Sequence, residues 1–263
     1  MWVAPLRRLR TGSFMPIPRW RHYADPKVAP LRRLRFGSIL PIRDRRAMKV
    51  CAYGLTVNNG LAPNPFFDIC TLAICTPNHM RARLSSGDYI IGTASDQISK
   101  RHGWDTRRVV YVMMVDKVMD LDIYYHEHPE KRGNSSGSEI DKVGDAIYRN
   151  DDNGVLYHVP ESEEHLGLEH QDIRGNRVFL GRTFWHFGSK SPTLPDENWA
   201  HTIPHSFRGI RYIYDTETPQ NRTWSDAEHD KFLAWLKNFE KGLIGMPADM
   251  PDMEQSNSHR SCS

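Results

Sequence analysis

Residues Arg108–Asp116 read RVVYVMMVD, and the fold turns on how this stretch is buried. Valine, tyrosine and methionine favour a strand, and apolar side chains occupy both parities rather than alternate positions. A strand of this kind is buried on both faces, either as a central strand between two layers or as a stave of a closed barrel. Upstream, Tyr89–Thr93 (YIIGT) follows a Gly87-Asp88 turn, and Lys49–Val57 (KVCAYGLTV) is closed by Asn58-Asn59-Gly60. Asp68–Thr76 (DICTLAICT) reads as a further strand stopped by Pro77, with a short helical stretch around His79–Leu84. Downstream, Arg177–Phe187 (RVFLGRTFWHF) and Ile210–Tyr214 resume strand character.

The stretch between 116 and 176 is polar and mixed, with a flexible tip expected at Lys131–Ser138 (KRGNSSGS) and a short strand or pocket wall at Asp145–Tyr148. One helix has explicit signals. Ser225 and Glu228 make a capping box, and Phe232, Trp235, Leu236, Phe239 and Leu243 follow at helical spacing, with Gly242 placed to end it. Its aromatic stripe is a core face. The expected class is α+β: a mostly antiparallel sheet, or a small barrel similar in strand pattern to PUA-like domains, with a packed C-terminal helix.

The chain has 263 residues and a formal net charge of +3. That charge is unevenly placed: residues 1–47 hold eleven arginines and Lys27 against Asp25 and Asp44, a net of +10, which leaves −7 for residues 48–263. The basic arm contains a tandem repeat, VAPLRRLRTGSFMPI at Val3–Ile17 and VAPLRRLRFGSILPI at Val28–Ile42. Its Pro and Arg content without a period implies a solvated, disordered segment. Three readings of it stand: Met48 as the natural start with the upstream stretch translated in error, a basic tail that grips phosphates, or a transit peptide. The first is preferred. The expected domain runs from 48 to 245, and residues 246–263, polar and Pro-containing, are expected to form a disordered tail.

No apolar run is long enough for a membrane helix. Cys51, Cys70, Cys75 and Cys262 form no CxxC pair, and their reading as free thiols suits a reducing cytoplasm. Walker A, GxGxxG, HExxH and GxSxG motifs are all absent from the sequence.

Several groups could carry chemistry. His126-Glu127-His128 lacks a third ligand at a recognisable spacing, so no metal site is assigned there. His165 and His170 are five apart, which does not stack two ligands on one helix face. Either could serve as an acid–base group near neutral pH, oriented by Asp172 or Asp145, although an acidic surface loop is the simpler account. Trp185-His186-Phe187-Gly188 offers rings for stacking a base or for a core strand, and Arg208 offers a guanidinium fork for a phosphate or a local acid.

The block Asn59–Thr93, NGLAPNPFFDICTLAICTPNHMRARLSSGDYIIGT, resembles the opening of the nucleotide modification associated domain family, type two. The shared features are Ala62–Phe67 (APNPFF), Cys70–Ala73 (CTLA) and Gly87–Thr93 (GDYIIGT). The resemblance continues through Gly144–Tyr148, Asp172, Arg177–Leu180, Phe184–Gly188, Leu194-Pro195 and Arg208-Gly209. It departs at Asp68, where the pattern has glycine, and at Phe179-Leu180-Gly181, where Leu-Ile-Ser is more usual. The resemblance implies a place in phage or bacterial systems that modify DNA bases or nucleotides; it carries no settled reaction. It implies a nucleotide or a modified nucleic-acid base as partner, and no cofactor is assigned. The expected binding pocket is Asn64, Phe66, Tyr148, Trp185 and Arg208; the expected acid–base set is Asp145, His165, His170 and Asp172. A non-catalytic interaction module is the remaining alternative. The acidic domain argues against broad duplex binding and is compatible with a pocket for one base or nucleotide.

Overall fold

The computed structural model describes residues 48–74, 82–104, 107–195, 199 and 209–251. The basic arm, Cys75, Cys262, Arg208 and residues 252–263 lie outside them, as does the first half of the expected helical stretch at 79–84, of which Ala82–Leu84 is coil. In chain order the strands are β1 (Lys49–Leu55), β2 (Cys70–Leu72), β3 (Tyr89–Ala94), β4 (Val109–Met114), β5 (Lys117–Met119), β6 (Tyr148–Asn150), β7 (Leu156–His158), β8 (Val178–Gly181), β9 (Phe184–His186), β10 (Arg211–Asp215) and β11 (Gly242–Leu243). The helices are α1 (Asp96–Arg101), α2 (Leu121–Glu127), the single turns α3 (Glu139–Lys142) and α4 (Glu169–Asp172), and α5 (Asp226–Leu236).

Strand β4 is central to a six-stranded sheet ordered β10-β1-β3-β4-β9-β11, and Val109–Met113 are fully buried. Its side chains divide between two cores. Val110 and Met113 pack with Cys51, Tyr53, Leu55 and Ile90, while Val109 and Val112 pack with Val50, Ala52, Ile91 and Trp185. The core around Val109 and Val112 also holds Trp199, Trp224, and Phe232 and Leu236 of α5, so the apolar content of both parities is the signature of a sheet covered on two sides. Among the described residues the sheet stays open, with β10 and β11 as its edges, in place of the barrel alternative. Most pairings are antiparallel; β1–β3 and β9–β11 are parallel. The fold is therefore α+β.

A second sheet, β2-β8-β5, grows from the same strands. Tyr111 lies opposite His186 in one sheet and Met119 opposite Val178 in the other, which is one unbroken antiparallel register carried through a bend. The single strand expected at 177–187 is accordingly two, separated by Arg182-Thr183. Gly181 makes the bend feasible: a Cβ there would sit 2.2 Å from the Met114 carbonyl oxygen. Beyond the bend, Phe66, Ile69, Tyr124, Ile147, Tyr148 and Val178 form the core of the second layer.

Helix α5 has the capping box foreseen at Ser225 and Glu228 but ends at Lys237. Its last turn tightens, Asn238 N–H bonding the Trp235 carbonyl at 3.1 Å, and Gly242 at φ +101° turns the chain into β11. Leu243 thus belongs to a strand, not to the helix stripe. The stretch from Met246 to Pro251, placed by composition in a disordered tail, is instead docked. Asn58 anchors it: its Oδ1 accepts from Ala248 N–H at 2.8 Å, and its own N–H donates to Asp249 Oδ2 at 2.7 Å. Asp249 Oδ1 also pairs with Arg101 and His102. Among the described residues no helix is long and apolar enough to cross a membrane.

The same anchor sets the state of His186, which is fully buried. With Asn58 Oδ1 taken by Ala248, its Nδ2 faces His186 Nε2 at 3.3 Å as a donor, while His186 Nδ1–H donates to the Gly245 carbonyl at 3.0 Å. Neutral imidazole satisfies both contacts; a proton on Nε2 would meet the amide hydrogens. Burial accordingly pushes the His186 pKa down from 6.5 to about 4. As pH falls, the unfolded chain takes the proton first, so this stabilisation is present above about pH 6.5 and drains away towards pH 4. Denaturant unfolding should show the wild type losing about 2 kcal/mol more than His186→Gln between pH 7 and pH 5; equal losses would contradict the neutral, buried imidazole.

Candidate functional site

The APNPFF segment crosses between the parallel strands β1 and β3, and it ends in two residues with left-handed backbone, Phe67 at φ +59° and Asp68 at φ +58°. Asp68 stands where the resemblance expects glycine, and its positive φ gives that glycine a physical reason. Of the two rings of this segment, Phe66, expected in the binding pocket, is buried in the second core, and Phe67 is 44% exposed.

Asn64 pairs with Thr71 through reciprocal backbone hydrogen bonds of 3.0 and 2.9 Å, and its side-chain amide donates to the Val143 carbonyl at 2.8 Å. Beneath this turn lies Lys131, with 0% exposure. Its ammonium donates to Asn64 Oδ1 at 2.8 Å, Asn64 O at 3.1 Å and Ile69 O at 2.7 Å. Three donors meet three carbonyl oxygens, so the group is used as a charged structural clamp. Burial lowers its pKa to about 8, with Asp145 opposing that shift, so the ammonium form prevails at neutral pH.

Asp145 is also fully buried, accepting from Tyr124 Oη at 2.6 Å and from Thr71 Oγ1 at 2.7 Å. Burial pushes its carboxyl pKa up, against Lys131 and these two hydroxyls, and drives the Tyr124 phenol well up. Lys131 begins the stretch expected to be a flexible tip. That stretch is instead held at both ends, by the clamp and by a second capping box between Ser138 and Asp141. Asn64 and Asp145 thus belong to one enclosed polar knot with Lys131, Thr71 and Tyr124.

A second group forms on the hairpin β6–β7, whose Asp151–Gly154 turn has Asp151 Oδ1 accepting from the Asn153 and Val155 N–H groups at 2.9 and 2.8 Å. Tyr148 and His158 are opposed on one face of this hairpin, with rings edge to face at 5.5 Å. Tyr148 Oη donates to Asp172 Oδ2 at 2.9 Å, and the same oxygen accepts from His165 Nδ1 at 2.6 Å. The Asp172 side chain is 3% exposed and that of His165 is 13% exposed. His158 Nε2–H donates to the Glu164 carbonyl at 2.7 Å, fixing the chain just before His165. His165 itself has φ +60°, an uncommon backbone for a residue with a side chain. Non-glycine residues held there cluster at functional sites.

The carboxylate at Nδ1 selects one tautomer and leaves the lone pair of a neutral imidazole on Nε2, the atom that exchanges a proton in acid–base work. Tyr148, His165 and Asp172 are therefore brought together. His170 falls on α4, and its side chain lies outside the described residues, as does Arg208. Trp185 lies in the other layer, its Nε1–H bonding the Phe239 carbonyl at 3.2 Å. The residues expected to form one aromatic pocket thus occupy separate places: Asn64 in the knot, Phe66 in the second core, Tyr148 beside His165 and Trp185 under α5. Among the described residues, no group of three or more His, Cys, Asp and Glu side chains could hold a metal ion.

Lys131, Thr71 and Tyr124 went unread in the sequence because their partners are backbone carbonyls and distant side chains. The β6–β7 hairpin did have a local signal, the Asp-Asp-Asn-Gly turn at 151–154. Removing the clamp amine takes a charged donor from three buried carbonyl oxygens, leaves Ile69 O without its ammonium partner, and deprives the buried Asp145 carboxyl of the nearby Lys131 charge. Lys131→Met should lower unfolding stability by about 3–5 kcal/mol, measured by denaturant titration; a loss below about 1 kcal/mol would show that the clamp is not structural.

Among curated proteins and solved structures nothing matches the chain. A family model, nucleotide modification associated domain 2, matches residues 47–254. That span holds the APNPFF turn, the Lys131 knot, the His165–Asp172 pair and the docked 246–251 segment, and the chain belongs to the nucleotide modification associated domain 2 family.

Proposed function

We propose that this chain serves a nucleotide-modification system by proton transfer at His165, with a base or nucleotide as the reacting partner. The reading is carried by one observation: Asp172, nearly sealed from solvent, holds both Tyr148 Oη and His165 Nδ1 on a single oxygen. A carboxylate in that position orients the imidazole and stabilises the imidazolium formed when Nε2 takes a proton. The family name supports a nucleotide-class substrate, and the His165–Asp172 pair supports the acid–base chemistry. His165 is the acid–base group; Asp172 and Tyr148 position it, and His158 fixes the chain that carries it. The knot around Lys131 and Asp145 acts one step back, holding the segment from which β6 starts. General acid–base groups contribute about 100- to 10,000-fold to a rate, so the loss should be visible in product.

Nucleoside mass spectrometry of DNA and nucleotide pools tests this in cells carrying the wild-type gene or a variant. His165→Ala should reduce a modified nucleoside by about 100-fold or more, Asp172→Asn should reduce it less, and thermal melts should show both variants cooperatively folded at the growth temperature. A nucleoside profile unchanged by His165→Ala would overturn the catalytic reading.

A further inference from the structure

The opposite face of the β6–β7 hairpin carries a different arrangement. Arg149 and Tyr157 are opposed across the two strands, on the side away from Tyr148 and His158. The Arg149 guanidinium lies 5.2 Å from the Tyr157 ring centre and 5.8 Å from that of Tyr125 on α2. Arg132 lies over Tyr125 as well, at 4.3 Å, and its Nε donates to the Tyr125 carbonyl at 3.1 Å. The result is a ladder of alternating cations and rings in the order Arg132, Tyr125, Arg149, Tyr157. Arg132 is exposed and the other three are half-buried.

Two features separate this ladder from ordinary surface packing. Neither guanidinium has a carboxylate partner among the described residues, although acids are close in sequence: Asp122 stands by His126, Glu127 binds Lys117 and Glu130 binds His128. Arg149 Nε is moreover buried without a hydrogen-bond partner. An unmatched buried donor on a cation is costly, and the ladder sits within residues 48–263, whose net charge is −7. Packing over a ring engages the face of a guanidinium and leaves its terminal in-plane N–H donors unused by the ring, and such donors match phosphate oxygens. Rings beside such donors suit unpaired bases, which a duplex does not present.

We propose that the Arg132–Tyr125–Arg149–Tyr157 ladder is a docking surface for single-stranded nucleic acid, with phosphates on the two guanidiniums and bases against the two tyrosines. It rests on the nucleotide reading above and names a strand, not a free nucleotide, as what the domain holds. Two cations that share one ring, Tyr125, suit more than one phosphate of a strand. The basic arm offers a polyanion a second place to bind, so the test must report position as well as affinity.

The full chain is crosslinked to a photoreactive oligothymidylate of about twelve nucleotides, and the attached peptides are mapped by mass spectrometry. Fluorescence anisotropy with the same strand is run between about 50 and 200 mM salt. Crosslinks should fall within 121–132 and 148–158. Arg132→Ala and Arg149→Ala should each weaken binding about tenfold and flatten the log–log salt slope by about 0.7. Arg149→Lys, which keeps charge but not the fork, should fall between. Crosslinks confined to residues 1–47, wild-type affinity in Arg132→Ala, or equal affinity for thymidine monophosphate or a duplex would each overturn the proposal. Strand binding lost in the arginine variants alongside a nucleoside profile unaffected by His165→Ala would fail the catalytic reading alone; the reverse pattern would fail this one alone.

Discussion

The buried ammonium of Lys131 is the constraint on which the second layer depends. A lysine sealed from water costs several kcal/mol unless its donors are matched, and here three carbonyl oxygens from the turn Asn64–Ile69 match them. That requirement ties the APNPFF turn to the chain at 131, and the Asn64 amide ties it again at Val143. Thr71 and Tyr124 close the knot around Asp145, three residues before β6. The direction of the hairpin, and with it the position of Tyr148, follows from this enclosed set of hydrogen bonds. The most recognisable sequence block of the chain is on this account a lock, and the chemistry it supports lies at a distance along the sequence.

The first layer answers to a different constraint. Strand β4 is buried on both faces, so it needs cover on both sides, and the bend after Met114 provides one cover by leading the same antiparallel register into a second sheet. Helix α5 provides the other. Where the layers meet, Asn58 fastens the segment after β11 and holds His186 neutral. The two faces of the β6–β7 hairpin then divide the work by simple strand alternation: Tyr148 and His158 towards the Asp172–His165 pair, Arg149 and Tyr157 towards the ladder.

Much of this was legible from local pattern. Strands β1, β3, β4 and β10 follow from runs of β-branched and aromatic residues, and α5 from its capping box and apolar spacing. The failures share one cause, which is that their partners are remote in sequence. Lys131 sits in a string of Arg, Gly, Asn and Ser that reads as mobile, yet its partners are carbonyls more than sixty residues away, and carbonyls leave no trace in a sequence. Asp249 sits among Pro and Met and is ordered by Asn58, 191 residues distant. Asn64 and Asp145 were legible as important and were read as site residues, and the structure encloses both in the Lys131 knot. His165 and Asp172 were legible as a pair because both residue types suit proton transfer; Tyr148 as their third member required the hairpin, which the turn at 151–154 could have suggested.

On the proposed function, Asp172 orients the His165 imidazole for exchange at Nε2. Nitrogen-15 NMR of the histidine rings, with His165 assigned through a His165→Gln variant, reads the tautomer directly. The account predicts His165 in the Nδ1–H form with a slowly exchanging proton, and loss of that preference in Asp172→Asn. An Nε2–H ring in the wild type, or a ring indifferent to Asp172→Asn, would contradict it.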